Sequence, residues 1–190
     1  MFPYIILGAG ALYLAYHAYH EWSTKWVVES IRTKVRGDQY QISIEPYFRD
    51  GLIGRKPDGI QLVVQNLSDE DLKIDWTNTL YVSDDMTDGH FVFSGRSIGQ
   101  QLSTPRAPDI VFPKGTLTRV LKPASRVEEY NLPPVGRYGY VSGRQVHAPA
   151  LTPGKHGVRI QLNETNVETL TFNLKRVPRD EEPPTTMVNA

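Results

Sequence analysis

Residues 60–82 read IQLVVQNLSDEDLKIDWTNTLYV, and this stretch decides the fold class. Ile60, Leu62 and Val64 alternate with Gln61, Val63 and Gln65, and Leu72, Ile74 and Trp76 alternate with Lys73 and Asp75. A period of two puts one set of side chains on one face of an extended chain, the pattern of a half-buried strand. Between the two runs stands Asn66-Leu67-Ser68-Asp69, a cluster of turn formers. The stretch reads as strand, turn, strand, with Leu80 and Val82 prolonging the second run.

The same period recurs on both sides. Tyr40, Ile42 and Ile44 alternate with Gln41, Ser43 and Glu45; Phe91 and Phe93 follow; then Val158, Ile160 and Leu162, and Leu170, Phe172 and Leu174. Asp88-Gly89, Pro113-Lys114-Gly115 and Pro153-Gly154-Lys155 supply further turns. Many short alternating strands without helical stretches between them predict a mainly β, antiparallel two-layer β-sandwich over residues 38–177. Its expected core holds Ile42, Ile44, Leu62, Val64, Ile74, Trp76, Phe91, Phe93, Ile160 and Phe172. Residues 178–190 lack periodicity and read as a disordered tail.

Val64-Gln65-Asn66-Leu67-Ser68, Leu72-Lys73-Ile74-Asp75-Trp76, Leu80-Tyr81-Val82 and the run Pro108 to Thr116 together resemble a pattern in poorly characterised bacterial envelope proteins. Those are similar to immunoglobulin-like sandwich domains and are often lipoproteins. The resemblance covers residues 60–122 and implies a fold and an envelope location, with no reaction and no catalytic residue. This chain departs from the lipoprotein version in having no Cys to lipidate.

The first twenty residues, MFPYIILGAGALYLAYHAYH, contain no Lys, Arg, Asp or Glu. At about 1.5 Å per residue, a helix from Pro3 to Tyr19 reaches roughly 25 Å, just short of a ~30 Å hydrocarbon core. Tyr13, Tyr16, Tyr19 and Trp22 cluster at its C-terminal end like an interfacial aromatic belt. A cleaved signal peptide would need a basic start and a small-residue cleavage site after the run; Gly8-Ala9-Gly10 lies inside it. Residues 1–22 are therefore expected to form a retained transmembrane anchor, with a buried soluble helix as the alternative. Gly8, Ala11 and Ala15 offer a small-residue face for helix packing.

Val27, Val28, Ile31 and Val35 recur near i, i+4 and i+8, which predicts a juxtamembrane amphipathic helix over 23–37 ended by Gly37. Trp26 is then expected at the interface, with Trp22. Lys25, Arg32, Lys34 and Arg36 put the excess of positive charge on the C-terminal side of the span. That bias predicts a single-pass protein with a cytoplasmic domain. The alternative is an exported, extracytoplasmic domain whose basic residues bind headgroups.

Composition removes several chemistries. Lys plus Arg equals Asp plus Glu at 21 each, so there is no global attraction to nucleic acid. Without Cys there are no disulfides, thiolate nucleophiles, cysteine-ligated zinc or iron–sulfur clusters. Asp84-Asp85-Met86-Thr87-Asp88-Gly89 is the densest acidic cluster, but Met86 and Gly95 fall where an EF-hand loop needs oxygen ligands. It reads as a hairpin loop joining Leu80–Val82 to Phe91–Phe93, with Gly89 supplying positive φ. His17, His20 and Glu21 could begin a metal site; they also sit where a helix would leave the bilayer. His90, His147 and His156 fall in no ligand motif, and no Gly-x-Ser-x-Gly or phosphate loop occurs. No catalytic residue, metal, cofactor or small-molecule substrate is assigned. Asn66-Leu67-Ser68 and Asn163-Glu164-Thr165 match the glycosylation pattern.

Residues 123–153 are irregular and rich in Pro and Gly, and long connections of that kind are functional or mobile. Tyr138, Tyr140, Arg137, Arg144 and His147 lie there, and Tyr and Arg dominate binding hot spots. They are the candidate partner-binding residues. The function expected from the sequence is a non-enzymatic, membrane-anchored interaction or structural subunit of an assembly with other proteins. The alternative is a ligand-binding or hydrolytic envelope domain using residues 123–153.

Overall fold

A computed structural model describes residue 19 and residues 23–51, 54–84, 89–93, 107–131, 144–147 and 149–180. The chain is mainly β, and its strands form antiparallel sheets. In chain order the strands are β1 (Thr24–Arg32), β2 (Lys34–Arg36), β3 (Tyr40–Gly51), β4 (Gly54–Asn66), β5 (Leu72–Ser83) and β6 (Phe91–Phe93). They continue with β7 (Asp109–Val111), β8 (Thr116–Pro123), β9 (Glu128–Asn131), β10 (Arg144–His147), β11 (Gly154–Leu162) and β12 (Asn166–Pro178).

One five-stranded sheet has the order β1-β12-β11-β5-β7 and the other β2-β3-β4-β8-β6, with β9 and β10 forming a separate ribbon. Their apolar faces share one cluster. Ile42, Ile44, Ile60, Leu62, Val64 and Leu121 come from the second sheet, and Ile74, Trp76, Val158, Ile160, Leu170, Phe172 and Leu174 from the first. All ten expected core residues lie in it. The alternation read from the sequence is the alternation that the core selects.

The stretch 23–37 corrects the expectation of a helix. Thr24–Arg32 is an edge strand paired antiparallel with β12, from Thr24↔Pro178 to Ser30↔Phe172, and Lys34–Arg36 pairs with β3. The chain passes from one sheet to the other at Thr33, whose carbonyl accepts the Ile44 N–H at 2.8 Å. Val27, Ile31 and Val35 are spaced by four, which fits a helical period but is also a multiple of two. Thr24, Val27, Val28, Ile31, Thr33 and Val35 are β-branched and prefer the extended chain. Trp26 packs against the core, beneath the Arg176 guanidinium at 5.5 Å, rather than standing at a membrane interface. β1 and β2 thus belong to the two sheets, ahead of the boundary expected at residue 38.

No helix among the described residues is long and apolar enough to cross a membrane. The anchor over 1–22, with Gly8, Ala11, Ala15, His17 and His20, lies outside the described residues apart from Tyr19.

β5 departs from simple alternation. Leu72, Ile74 and Trp76 point inward at even positions, but Tyr81 is the next buried aromatic, with Leu80 and Val82 half-buried. The parity flips because β5 bulges between Asp75, opposite Gln161, and Leu80, opposite Arg159. Asp75 ties the bulge: its Oδ1 accepts the Thr77 N–H at 2.9 Å and its Oδ2 the Asn78 Nδ2–H at 2.9 Å. The Thr79 hydroxyl donates to the Asp75 carbonyl at 2.6 Å. The hydrogen bond from Asn78, with backbone donors and Lys73 assisting, holds the Asp75 carboxyl below its ordinary pKa.

The acidic turn also differs from expectation. β5 and β6 belong to different sheets, so the link between them is a crossover and not a hairpin. Gly89 does adopt positive φ, at 65°. Residues 123–153 contain a short 3₁₀ turn at Ala124–Arg126 and the β9–β10 ribbon, where a wholly irregular connection was expected.

Asn66 closes one end of the molecule. Its side chain is fully buried at the end of β4, and its Nδ2 donates to Glu70 O at 2.7 Å and Val111 O at 2.9 Å. Its Oδ1 accepts the Ser68 hydroxyl at 2.7 Å. The Asn-x-Ser triplet is thus a structural clasp between the two sheets, and the buried amide is closed to glycosylation. Asn163, in the exposed β11–β12 turn, accepts the Lys73 N–H at 2.8 Å.

Trp76 is 2 % exposed and meets Phe93 of the opposite sheet edge-to-face, with ring centroids 4.8 Å apart. Trp76→Ala should therefore lower unfolding free energy by about 3–5 kcal/mol in urea titration. A loss below about 1 kcal/mol would place the indole outside the core.

Candidate functional site: a groove between β1 and the β3–β4 hairpin

From the corner at Thr33, β1 runs back toward Thr24 while β3 runs on toward Gly51, and the two strands diverge. Between them opens a groove of about 720 Å³. Val28 and Ser30 of β1 form one wall, and Ile44, Pro46, Tyr47, Phe48 and Gln61 the other, with Lys34, Glu45 and Arg55 at the rim. Gln61 Nε2 donates to Glu45 Oε1 at 2.9 Å, and the Arg55 guanidinium lies 5.6 Å from the centre of the Phe48 ring. No histidine lines it, so the serine hydroxyls there have no imidazole base. Ile44, Pro46 and Phe48 give it apolar area, Lys34 and Arg55 its cations, and Gln61 an amide.

The groove opens onto the unpaired edge of β3. Ile44 points its N–H outward to Thr33, so outward N–H positions recur at alternate residues, and the next is Pro46. Proline has no N–H to offer an incoming strand, which protects the edge against strand addition. A bulge follows, where Asp58 of β4 has no direct partner between Tyr47↔Gly59 and Phe48↔Pro57.

At that bulge lies a buried ion pair that the sequence did not signal. Lys122 Nζ of β8 donates to Asp58 Oδ2 at 2.7 Å, and Arg49 approaches Asp58 Oδ1 at 3.6 Å. The two side chains of the pair are only 9 % and 5 % exposed. Gly59 brings the strands close here, since a Cβ would lie 2.6 Å from Leu121 O. Asp58 and Lys122 lie far apart in sequence with no motif linking them; only the register of β4 on β8 joins them.

A second buried polar group is His156, 1 % exposed at the start of β11. Its Nε2 lies 2.7 Å from Thr152 O, which can only accept, so Nε2 carries the proton. Nδ1 is then free to accept the Tyr81 hydroxyl. This neutral tautomer is favoured further because burial pushes the His156 pKa down. Elsewhere, burial and the adjacent Glu168 push the Tyr40 phenol up, and the Lys175 hydrogen bond holds Glu29 down.

Of the candidate partner residues, Arg144 and His147 fall on β10, in register with Asn131 and Glu128 of β9. Arg137, Tyr138 and Tyr140 lie outside the described residues. In the acidic cluster, Asp84 accepts the Lys155 N–H at 2.9 Å, and among the described residues no group of three His, Asp or Glu is placed to hold a metal. Compared with family models, curated proteins and solved structures, the chain matches none.

The neutral His156 gives a pH dependence of defined sign. The unfolded histidine takes up its proton near pH 6.5, the ordinary value, while the folded one still resists. Stability should fall as pH drops from about 7 to 5, by at most about 1.4 kcal/mol per pH unit. His156→Gln should be less stable at pH 7 but lose this slope, as read by denaturant midpoints across that range. An unchanged slope would assign it to other groups.

Proposed function

We propose that this chain is a non-enzymatic, single-pass membrane protein whose immunoglobulin-like β-sandwich serves as an interaction or structural subunit of a membrane-associated assembly. The observation that carries it is the uncharged apolar run of the first twenty residues leading, within a few residues, into an edge strand of the folded domain. The strand order supports the immunoglobulin-like reading. β3-β4-β8 follows the A-B-E neighbours of that fold and β5-β11-β12 its C-F-G neighbours. β6 and β7 reach the opposite edges in reversed chain order, and β1 and β2 precede the pattern. The bacterial envelope resemblance and the charge bias support a membrane location, with the domain on the cytoplasmic side or, in the alternative, exported.

The tether is tested by carbonate extraction. The full chain should stay with the membrane, and a fragment starting at Ser23 should be released as a folded domain. A fragment starting at Gly37 removes β1 and bares the edge of β12, so it should melt at a lower temperature. Full-length protein in the carbonate supernatant, or a mature N-terminus near residue 20, would overturn the reading.

Partner contact is proposed through residues 133–150. Replacing Tyr138, Tyr140 and Arg144 together by Ala should leave the melting temperature within about 2 °C while abolishing copurification of partners from mild detergent. Unfolding of the triple variant would make these residues structural instead. An intact complex would move the contact elsewhere, to the β1–β3 groove or to Gly8, Ala11 and Ala15.

A further inference from the structure

We propose that this chain self-associates through β1: a second copy lays its own β1 antiparallel along the open edge of the first, about a two-fold axis at Val27, and joins the two β1-bearing sheets into one continuous sheet. This goes beyond the reading as an interaction subunit by naming the partner as a second copy, and it stands whether or not the chain is tethered.

β1 is the long edge that the fold leaves open. The two five-stranded sheets end on β1 and β7 and on β2 and β6. β2, β6 and β7 are 3 residues each, too short to template another strand, whereas β1 is 9. From Thr24 to Ser30 it has none of the usual edge protection. It holds no proline, its inner face carries Trp26, Val28 and Ser30 and no charge, and its bulge comes only at Ile31.

The register on β12 decides which backbone groups are open. Thr24 stands opposite Pro178, which has no N–H, and Arg179 N donates to Ser23 O at 2.9 Å. Lys25, Val27 and Glu29 therefore exchange hydrogen bonds with β12, and Trp26, Val28 and Ser30 turn their N–H and C=O away from it. Among the described residues, no backbone hydrogen bond closes those three on the outer side. Val28 is 38 % exposed although its side chain lines the groove on the inner face, so β1 overhangs the second sheet there and leaves room beside it.

The strand is complementary to itself. An antiparallel partner must match outward-turned residues with outward-turned residues, so the two-fold axis passes through a residue and not between two. With the axis at Val27, Trp26 of each copy meets Val28 of the other and the two exchange both backbone hydrogen bonds, while Ser30 falls opposite Thr24. On the outer face Val27 packs on Val27, and Lys25 of each copy stands opposite Glu29 of the other. These are non-hydrogen-bonded positions, where facing side chains come closest. Glu29 already takes Lys175 Nζ at 2.7 Å on Oε1 and Asn173 Nδ2 at 3.3 Å on Oε2, and each carboxylate oxygen has a second lone pair to offer. Lys25 Nζ meets Arg179 O at a long 3.4 Å, on an exposed side chain free to turn. An axis at Val28 would set Glu29 against Val27 and Lys25 against the bulge at Ile31. An axis at Trp26 would set Lys25 against Val27 and Glu29 against Ser23. Charge therefore selects Val27.

The absence of Cys makes the register directly testable in the full chain in mild detergent. Across the axis the two Val27 Cα atoms should lie ~4.5 Å apart, within the range that a disulfide spans. Val27→Cys should therefore give a linked dimer under mild oxidation. Lys25→Cys alone and Glu29→Cys alone should not, since each is offset from its own copy by about 13 Å along the strand. Mixed together, these two should cross-link. Val28→Pro removes an outward N–H and no bond to β12, so it should keep the melting temperature within about 2 °C yet weaken the dimer at least about tenfold by sedimentation. A monomer up to high micromolar concentration overturns the inference. So does a dimer that links equally well through 25, 27 or 29 alone, or one that Val28→Pro leaves intact, since the contact would then lie elsewhere, on Gly8, Ala11 and Ala15 for example. None of these outcomes bears on the tether, which carbonate extraction tests by itself.

Discussion

One apolar layer buried between two sheets carries this molecule. No disulfide is available to it, so the sheets are held by burial of Ile, Leu, Val, Trp and Phe from both. Everything else depends on which side chains each strand turns toward that layer. The bulge at Asp75 exists because β5 must present Trp76 and then Tyr81 to the same core, although the two are an odd number of residues apart. The local hydrogen bonds of Asp75, Asn78 and Thr79 make the shift without leaving the bulged backbone unsatisfied.

Around the layer, polar contacts fix the sheets relative to one another. Asn66 reaches from β4 to the carbonyl of Val111 on β7, Asp109 meets Arg119 at 3.0 Å, and the Tyr40 hydroxyl donates to Glu168 at 3.2 Å. Each joins one sheet to the other near the edge of the core. Such contacts contribute modest net free energy, but each becomes costly if one partner is lost. They select one packing among the many that an apolar layer alone would tolerate. The groove beside β1 is what remains where the layer runs out: the strands diverge, Pro46 blunts the edge, and charged rims replace the apolar seal.

Functional readings follow from this geometry more than from any single residue. β1 starts at the edge of one sheet, the chain crosses to the other at Thr33 and returns along β3, so that the start of β1, the end of β12 and the end of β3 lie toward one end. The histidine and the ion pair in the interior are satisfied groups that hold the fold.

The sequence by itself determined the strands whose alternation is uninterrupted: β4, the first half of β5, β11 and β12, their inward residues, and the positive φ at Gly89. These are local facts, since a period of two states which face is buried without reference to the partner. Tertiary structure alone decided the rest. Residues 24–36 carry a spacing that suits either helix or strand, and pairing with β12, at the other end of the chain, made them strands. The crossing of β6 into the opposite sheet, the parity change in β5, the Asp58–Lys122 pair and the groove all arise from contacts between segments far apart in sequence. Local pattern specifies the face of a strand but not its neighbour, and a site is made of neighbours.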